Sequence, residues 1–335
     1  MKYYLVLLFI FLINPLTAQN PDSTAVDYEV KVSKFVMGTI VETTVRANDI
    51  SYCKEALFHA YREMERIENL LSYMKENSEI TKINNNAGIQ PVHVSKETMD
   101  ILHRAVGYAE KLHGFFDVTI GPVSTLWGFS SDAGGHVPAE KDIKKLLPLV
   151  NFKNLRLSDS DTTAYLQKPG MKLDLGGIAK GYAIDRGSAV LRQKGIKNFI
   201  LNAGGDMYVS GTKAADTPWK VGVKDPRDNQ KLVARFELKD YAVATSGDYE
   251  RYIIVNGRRY HHILDPRNGY PGTLSESSTT FAATAEEADV LATYLFIIGA
   301  EKALQEKFDK PFMVINEKGE NNYNESFKNL SGLTF

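Results

Sequence analysis

Cysteine occurs once in the 335 residues, at Cys53. A lone thiol closes no bridge within the chain, so the fold stands without an internal disulfide. Excess charge is also missing. The formal net charge is −1, and no basic run with interleaved aromatics occurs, which disfavours nucleic-acid binding. Internal repeats and low-complexity tracts are absent. Long apolar runs are scarce, and the one from Leu5 to Ile13 is too short for a membrane span. It follows Lys2 and precedes Pro15 and the small residue Ala18, the pattern of a secretory signal peptide over residues 1–18, cleaved before Gln19. No cysteine lies near that point to take a lipid. The expectation is an exported, periplasmic, soluble protein with a polar, flexible leader over residues 19–27.

What is present is ordinary for a globular protein: 43% apolar and 24% charged residues, in a chain long enough for one large or two smaller domains. Val- and Thr-rich alternation predicts strands over Tyr28 to Val36 and Ile40 to Val45, around Met37-Gly38-Thr39. Leu57, Ala60, Tyr61, Met64, Ile67 and Leu71 keep helical spacing from Ser51 onward. Ser95 is a good N-cap for a second helix ending near Gly114. Phe115-Phe116-Asp117 reads as the start of an apolar strand leading to Gly121-Pro122. A short helix is expected over Ile143 to Leu149. Short strands follow from Phe199 to His262, with Asn256-Gly257 as the strongest hairpin signal. Thr284-Ala285-Glu286-Glu287 is a capping box opening an almost wholly apolar helix.

The stretch Leu173 to Asp185, LDLGGIAKGYAID, organises the chain. An apolar segment carrying Asp174 meets a Gly176-Gly177 turn, then a helix start with Lys180 early in it. Glycines let backbone approach a ligand, and helix N-termini favour anions. The motif is neither GxGxxG nor a P-loop, so the glycines taken alone favour a tight strand-to-helix turn that binds nothing. Asn202-Ala203-Gly204-Gly205-Asp206 closes a strand with a second glycine turn. On the apolar helix, Asp289 and Thr293 share a face one turn apart. A buried carboxylate needs a partner, and hard cations take carboxylate, hydroxyl and carbonyl oxygens. The plainer alternative is an Asp favoured by the helix dipole and a Thr bonded back into the helix. His261 and His262 point to opposite faces of a strand, so at most one should face a site.

Taken together, MGT at Met37, FFD at Phe115, LDLGGIAKGYAID at Leu173, NAGGD at Asn202, TSGDY at Thr245, HILDP at His262 and EEADVLATYLFIIG at Glu286 occur in the order found in one family. The chain resembles the FAD:protein FMN transferases, the ApbE family, over about the whole mature length. That resemblance implies an α+β fold with mixed sheets and two closely packed lobes, in a catalytic domain over residues 28–335, with FAD between the lobes. It implies a Mg²⁺-dependent enzyme that splits FAD. FMN is transferred through a phosphoester to a Thr or Ser of an acceptor flavoprotein, and AMP is released. The residues matching the family's flavin contacts are Met37, Phe115, Phe116, Asp117, Asp174, Lys180 and Ile263. Tyr73 and Met74 are both candidates to pack on the flavin, because the family's stacking tyrosine falls at Met74. The metal ligands implied are the Gly177 carbonyl, Asp289 and Thr293. His262 matches the family's histidine and is the natural general base, with His261 the alternative. Lys180 and the Gly204-Gly205 backbone are placed to stabilise the phosphates or the leaving AMP. Other readings are a metal-dependent FAD pyrophosphatase, with water as acceptor, and a non-catalytic periplasmic flavin-binding protein. Nothing in the chain sets an oligomeric state.

Overall fold

A computed structural model describes residues 12–15, 28–130, 134–214, 216–228 and 230–335. Most of the expected signal peptide, the whole leader, and part of the glycine-bearing loop after Ser130 lie outside the described residues. Of the signal region only Leu12–Pro15 is described, as an edge strand, β1, antiparallel to the next.

The hairpin β2 (Tyr28–Val36) and β3 (Thr39–Ala47) forms as its alternation requires, with inward residues Val30, Val32, Val41 and Val45 buried. Its two turn residues, Met37 and Gly38, both have positive φ (57° and 69°), the geometry whose twist suits a two-residue hairpin. Helix α1 (Ile50–Leu71) buries the predicted stripe and is capped by Asp49. Then come α2 (Glu79–Asn85), β4 (Val92–His93) and α3 (Lys96–Lys111), whose N-cap is Ser95, as predicted. The strand expected from Phe115 does not form. Phe115 to Thr119 make turns, and Gly121-Pro122 instead opens helix α4 (Gly121–Trp127), because proline at the first helical positions is preorganised for a helix. Helix α5 (Glu140–Leu146) is followed by β5 (Leu155–Ser158) and β6 (Thr163–Leu166).

The second half contains α6 (Ala179–Gln193), β7 (Phe199–Ala203), β8 (Asp206–Ser210), β9 (Trp219–Lys224), β10 (Leu232–Leu238) and β11 (Tyr241–Gly247). The hairpin β12 (Tyr252–Val255) and β13 (Arg258–His261) turns on Asn256-Gly257, both at positive φ. Strand β14 (Ser275–Ala282), helix α7 (Ala285–Gln305), strands β15 (Phe312–Asn316) and β16 (Asn321–Tyr323), and helix α8 (Glu325–Lys328) complete the chain.

Nine strands form one sheet in the order β1-β2-β3-β7-β8-β11-β14-β15-β16. The fold is α+β, and among the described residues every pairing between named strands is antiparallel, a parallel contact occurring only as the isolated bridge Ile120↔Lys172. A single apolar core runs from the sheet (Val30, Val41, Phe312) through α1, α6 and α7 to Leu102 and Phe116, so the two expected lobes are fused by shared packing. A second cluster, around Phe236, Phe281 and Phe327, fills the region between the sheet, the β9-β10 hairpin and α8. Among the described residues, no helix is long and apolar enough to cross a membrane.

Candidate active site

Helices α6 and α7 meet at their N-terminal ends, and this junction builds the site. The N-cap of α6, Ile178, offers no side-chain acceptor. Asp289 of α7 supplies one from outside: its Oδ2 accepts the Gly181 N–H at 3.0 Å. In return, Asp185 of α6 accepts the N–H groups of Ala285 and Glu286 at 2.8 and 2.9 Å. Each helix thus caps the other, satisfying donors that a helix start leaves open. Gly181 permits this contact, since a Cβ there would lie 2.2 Å from the Ala285 carbonyl oxygen.

Lys180 lies in the first turn of α6, and its Nζ pairs with Asp206 Oδ2 at 2.7 Å. Asp206 follows the β7-β8 glycine turn and is 1% exposed; its Oδ1 accepts the Thr245 N–H at 3.0 Å. Burial opposes the charge on Lys180, yet Asp206 and Asp289 together hold its ammonium above the ordinary lysine pKa. Asp289 is 5% exposed. Burial and then Asp206 push its carboxyl upward, and Lys180 opposes them. Thr293, one turn further along α7, has its Oγ1 3.4 Å from Ser246 Oγ. Gly177 adjoins it: a Cβ on Gly177 would lie 3.7 Å from Thr293 Oγ1 and 3.1 Å from the Phe116 ring.

The two histidines separate cleanly. His261 Nε2 bonds the Gly272 carbonyl at 2.8 Å and its Nδ1 accepts the Ile263 N–H at 3.2 Å, so its ring is structural. His262 donates its backbone N–H to the Arg251 carbonyl, while its buried Nδ1 has no hydrogen-bond partner among the described residues. Burial, then the charges of Arg251, His261 and Lys180, push the His262 pKa down to about 3. Its ring is neutral at neutral pH.

A second group adjoins the first through Arg251, which donates to Ser130 Oγ at 3.2 Å. Tyr73 lies here; burial, then Asp174, raise its pKa, while Ser130, Arg251 and Ser124 oppose the rise. Asp174 accepts from Ser124 Oγ at 2.8 Å and from the Gly176 N–H at 2.9 Å. Met74 is 58% exposed, whereas Tyr73 packs against the core. Met37, at the tip of the first hairpin, donates its N–H to Glu68. The hairpin tip reaches the β7-β8 turn, where Thr39 Oγ1 would lie 2.6 Å from a Cβ on Gly204.

Comparison with known proteins decides the family. The ApbE family model matches residues 37–309. The chain belongs to the ApbE family. An ApbE relative from Klebsiella pneumoniae, named FAD:protein FMN transferase, is 36% identical over 256 residues, 74% of this chain and 78% of the relative. The crystal structure of the ApbE protein from Thermotoga maritima superposes with a TM-score of 0.84 at 35% identity, covering 90% of this chain and 99% of that one. The flavin transferase ApbE from Vibrio cholerae superposes at 0.80 and 28% identity, covering 90% and 99%.

In this ApbE chain, Gly177, Lys180, Asp289, Thr293 and His262 lie around the start of α6, with Tyr73 and Asp174 next to them. Three expected flavin contacts are otherwise engaged. Phe115 is covered by Arg267 and Lys302, 3.7 and 4.0 Å from its ring centroid. Asp117 is buried and both its oxygens are taken, Oδ1 accepting from Thr119 N and Thr119 Oγ1 in its own loop and Oδ2 from Phe152 N of the segment before β5. Ile263 is buried behind His262, and the Gly272 N–H donates to its carbonyl. Asp206, missed as a site residue, stands in the NAGGD motif, where the glycines beside it drew the reading toward a turn. Ser124 lies in none of the motifs, and Ser246 stands inside TSGDY with no role of its own attached to it.

Proposed function

We propose that this chain is an exported FAD:protein FMN transferase. FAD would be split between its two phosphates, FMN joined through a phosphoester to a Thr or Ser hydroxyl of an acceptor flavoprotein, and AMP released. The observation that carries this reading is the convergence of Lys180, Asp206, Asp289, Thr293, Gly177 and His262 at the α6 N-terminus in a member of this family. Lys180, held by Asp206, would meet the phosphates as a fixed positive charge, aided by the positive end of the helix dipole. The acceptor hydroxyl attacks the FMN phosphorus, its proton passes to the neutral His262 ring, and AMP departs with the bridging oxygen.

The residues present fit a Mg²⁺ ion. Asp289, the Thr293 hydroxyl and the Gly177 carbonyl are an all-oxygen set suited to a hard cation. The buried Asp289 carboxylate, pushed toward protonation by burial and Asp206, is the kind of group a divalent cation would compensate. Bound there, the ion would neutralise charge on phosphate oxygens.

The test is incubation with FAD, Mg²⁺ and a flavoprotein carrying an acceptor Thr or Ser. Covalent flavin on the acceptor with AMP in solution is expected. Free FMN plus AMP would make the protein a pyrophosphatase, and unchanged FAD a flavin-binding protein. Asp289→Asn should remove Mg²⁺-dependent turnover. If that variant keeps the wild-type Mg²⁺ dependence, the metal is held elsewhere.

A further inference from the structure

The segment 245–249 runs off the end of β11 into the site, and two of its residues already touch the groups placed there. Thr245 N–H donates to Asp206, and Ser246 Oγ faces Thr293. Asp248 anchors the chain as it leaves the strand. It is buried, accepts both terminal nitrogens of Arg227 at 2.7 Å and Nη1 of Arg259 at 3.1 Å, and donates its own N–H to the Glu276 carbonyl at 3.0 Å. The backbone is therefore clamped from the loop after β9, from β13 and from β14.

This clamp fixes the next residue, Tyr249. Its ring folds back on Gly247, where a Cβ would lie 2.4 Å from Cε1 and 2.6 Å from Cζ. No other residue type fits at 247 without displacing the ring, so the sequence keeps this space for the phenol. The ring end nearest that glycine carries the hydroxyl, and Asp206 and Lys180 act on it in opposite senses. Burial, then Glu250, Asp248 and Asp206, push its pKa up to about 12, so the phenol stays protonated at neutral pH.

We propose that Tyr249 is a further substrate-contacting residue of this site, its O–H donating to a phosphate oxygen of the dinucleotide that Lys180 engages. The proposal rests on the FMN-transfer reading. Lys180 supplies a charge without much direction, and Tyr249 supplies direction without charge. A hydrogen bond from a neutral donor to a charged oxygen is worth roughly ten- to a hundredfold in rate or affinity.

FAD with Mg²⁺ is the probe, applied to the full chain. AMP release, flavin fluorescence on binding, and thermal midpoint are compared for wild type and Tyr249→Phe. The variant keeps the ring over Gly247, so its midpoint should match wild type. Its kcat/KM for AMP release should fall about ten- to a hundredfold, by the same factor across neutral and mildly alkaline pH, since no titrating base is removed. A wild-type kcat/KM in Tyr249→Phe overturns the proposal, as does a loss accounted for by unfolded protein alone. Tyr249→Leu, which removes the ring as well, should be at least as impaired per folded molecule; full activity there also overturns it. Wild-type protein that neither binds nor splits FAD would instead overturn the functional reading.

Discussion

At the scale of single residues, conformation and charge mark the site more sharply than residue type does. Met37 adopts φ 57°, a left-handed conformation that costs an ordinary side chain about 1 kcal/mol. Such strain persists where surrounding structure over-determines it, and here the Met37 N–H is held by Glu68. Met37→Asn should raise folding stability by up to about 1 kcal/mol, because Asn suits that turn position. The same change should weaken FAD binding. Urea unfolding and flavin titration measure the two effects, and a variant with unchanged FAD affinity would remove Met37 from the site. His262 offers a pH signature. Its folded pKa of about 3 lies below the unfolded value of about 6.5. Folding thus favours the neutral ring, and the stability this gives is present above pH 6.5 and is lost as pH falls toward 3. His262→Ala should therefore flatten the loss of stability between neutral and mildly acidic pH, with transfer about 10²–10⁴-fold slower. Parallel stability curves for variant and wild type would contradict the buried, neutral assignment. His261→Ala should instead lose stability first, since both of its ring nitrogens are bonded.

At the scale of elements, what could be read from the sequence was local, and what could not depended on distant partners. Helix α1, the Ser95 cap, the Thr284 cap and the Asn256-Gly257 hairpin all announce themselves within a few residues, and all four form. Strand β14 does not, although it sits between β11 and β15 in the large sheet. Its sequence, SESSTTFA, is rich in small hydroxyl residues that resemble a loop. The hydroxyls of Ser278, Thr279 and Thr280 are buried with partners on neighbouring elements, as when Ser278 Oγ donates to the Ala292 carbonyl at 2.6 Å. Likewise Lys180 and Asp206 meet only because α6 and the β7-β8 turn are brought together, and no spacing in the sequence encodes that. The reciprocal capping of α6 and α7 belongs to this class. Asp185→Ala should cost about 1–2 kcal/mol, read from thermal or urea unfolding. A neutral outcome would mean that solvent or Glu286 takes over the cap.

At the scale of the whole molecule, the family and the α+β class followed from motifs spread along the chain, because one fold gathers them. The N-terminal region is the part that rests on composition alone. N-terminal sequencing of protein recovered from an expressing cell's periplasm should begin near Gln19; a mature protein starting at Met1 would rule out the signal peptide. The sheet itself has a consequence in time. Strand β3 pairs with β7 through contacts such as Val41↔Ala203, so the N-terminal hairpin acquires its neighbour only after the intervening α1 to α6 have been produced. Closing so long a loop before any ladder bond forms makes folding slow. A nascent chain shorter than about two hundred residues therefore holds an unsatisfied β3 edge. That interval leaves an open strand edge exposed, and it gives aggregation its opportunity.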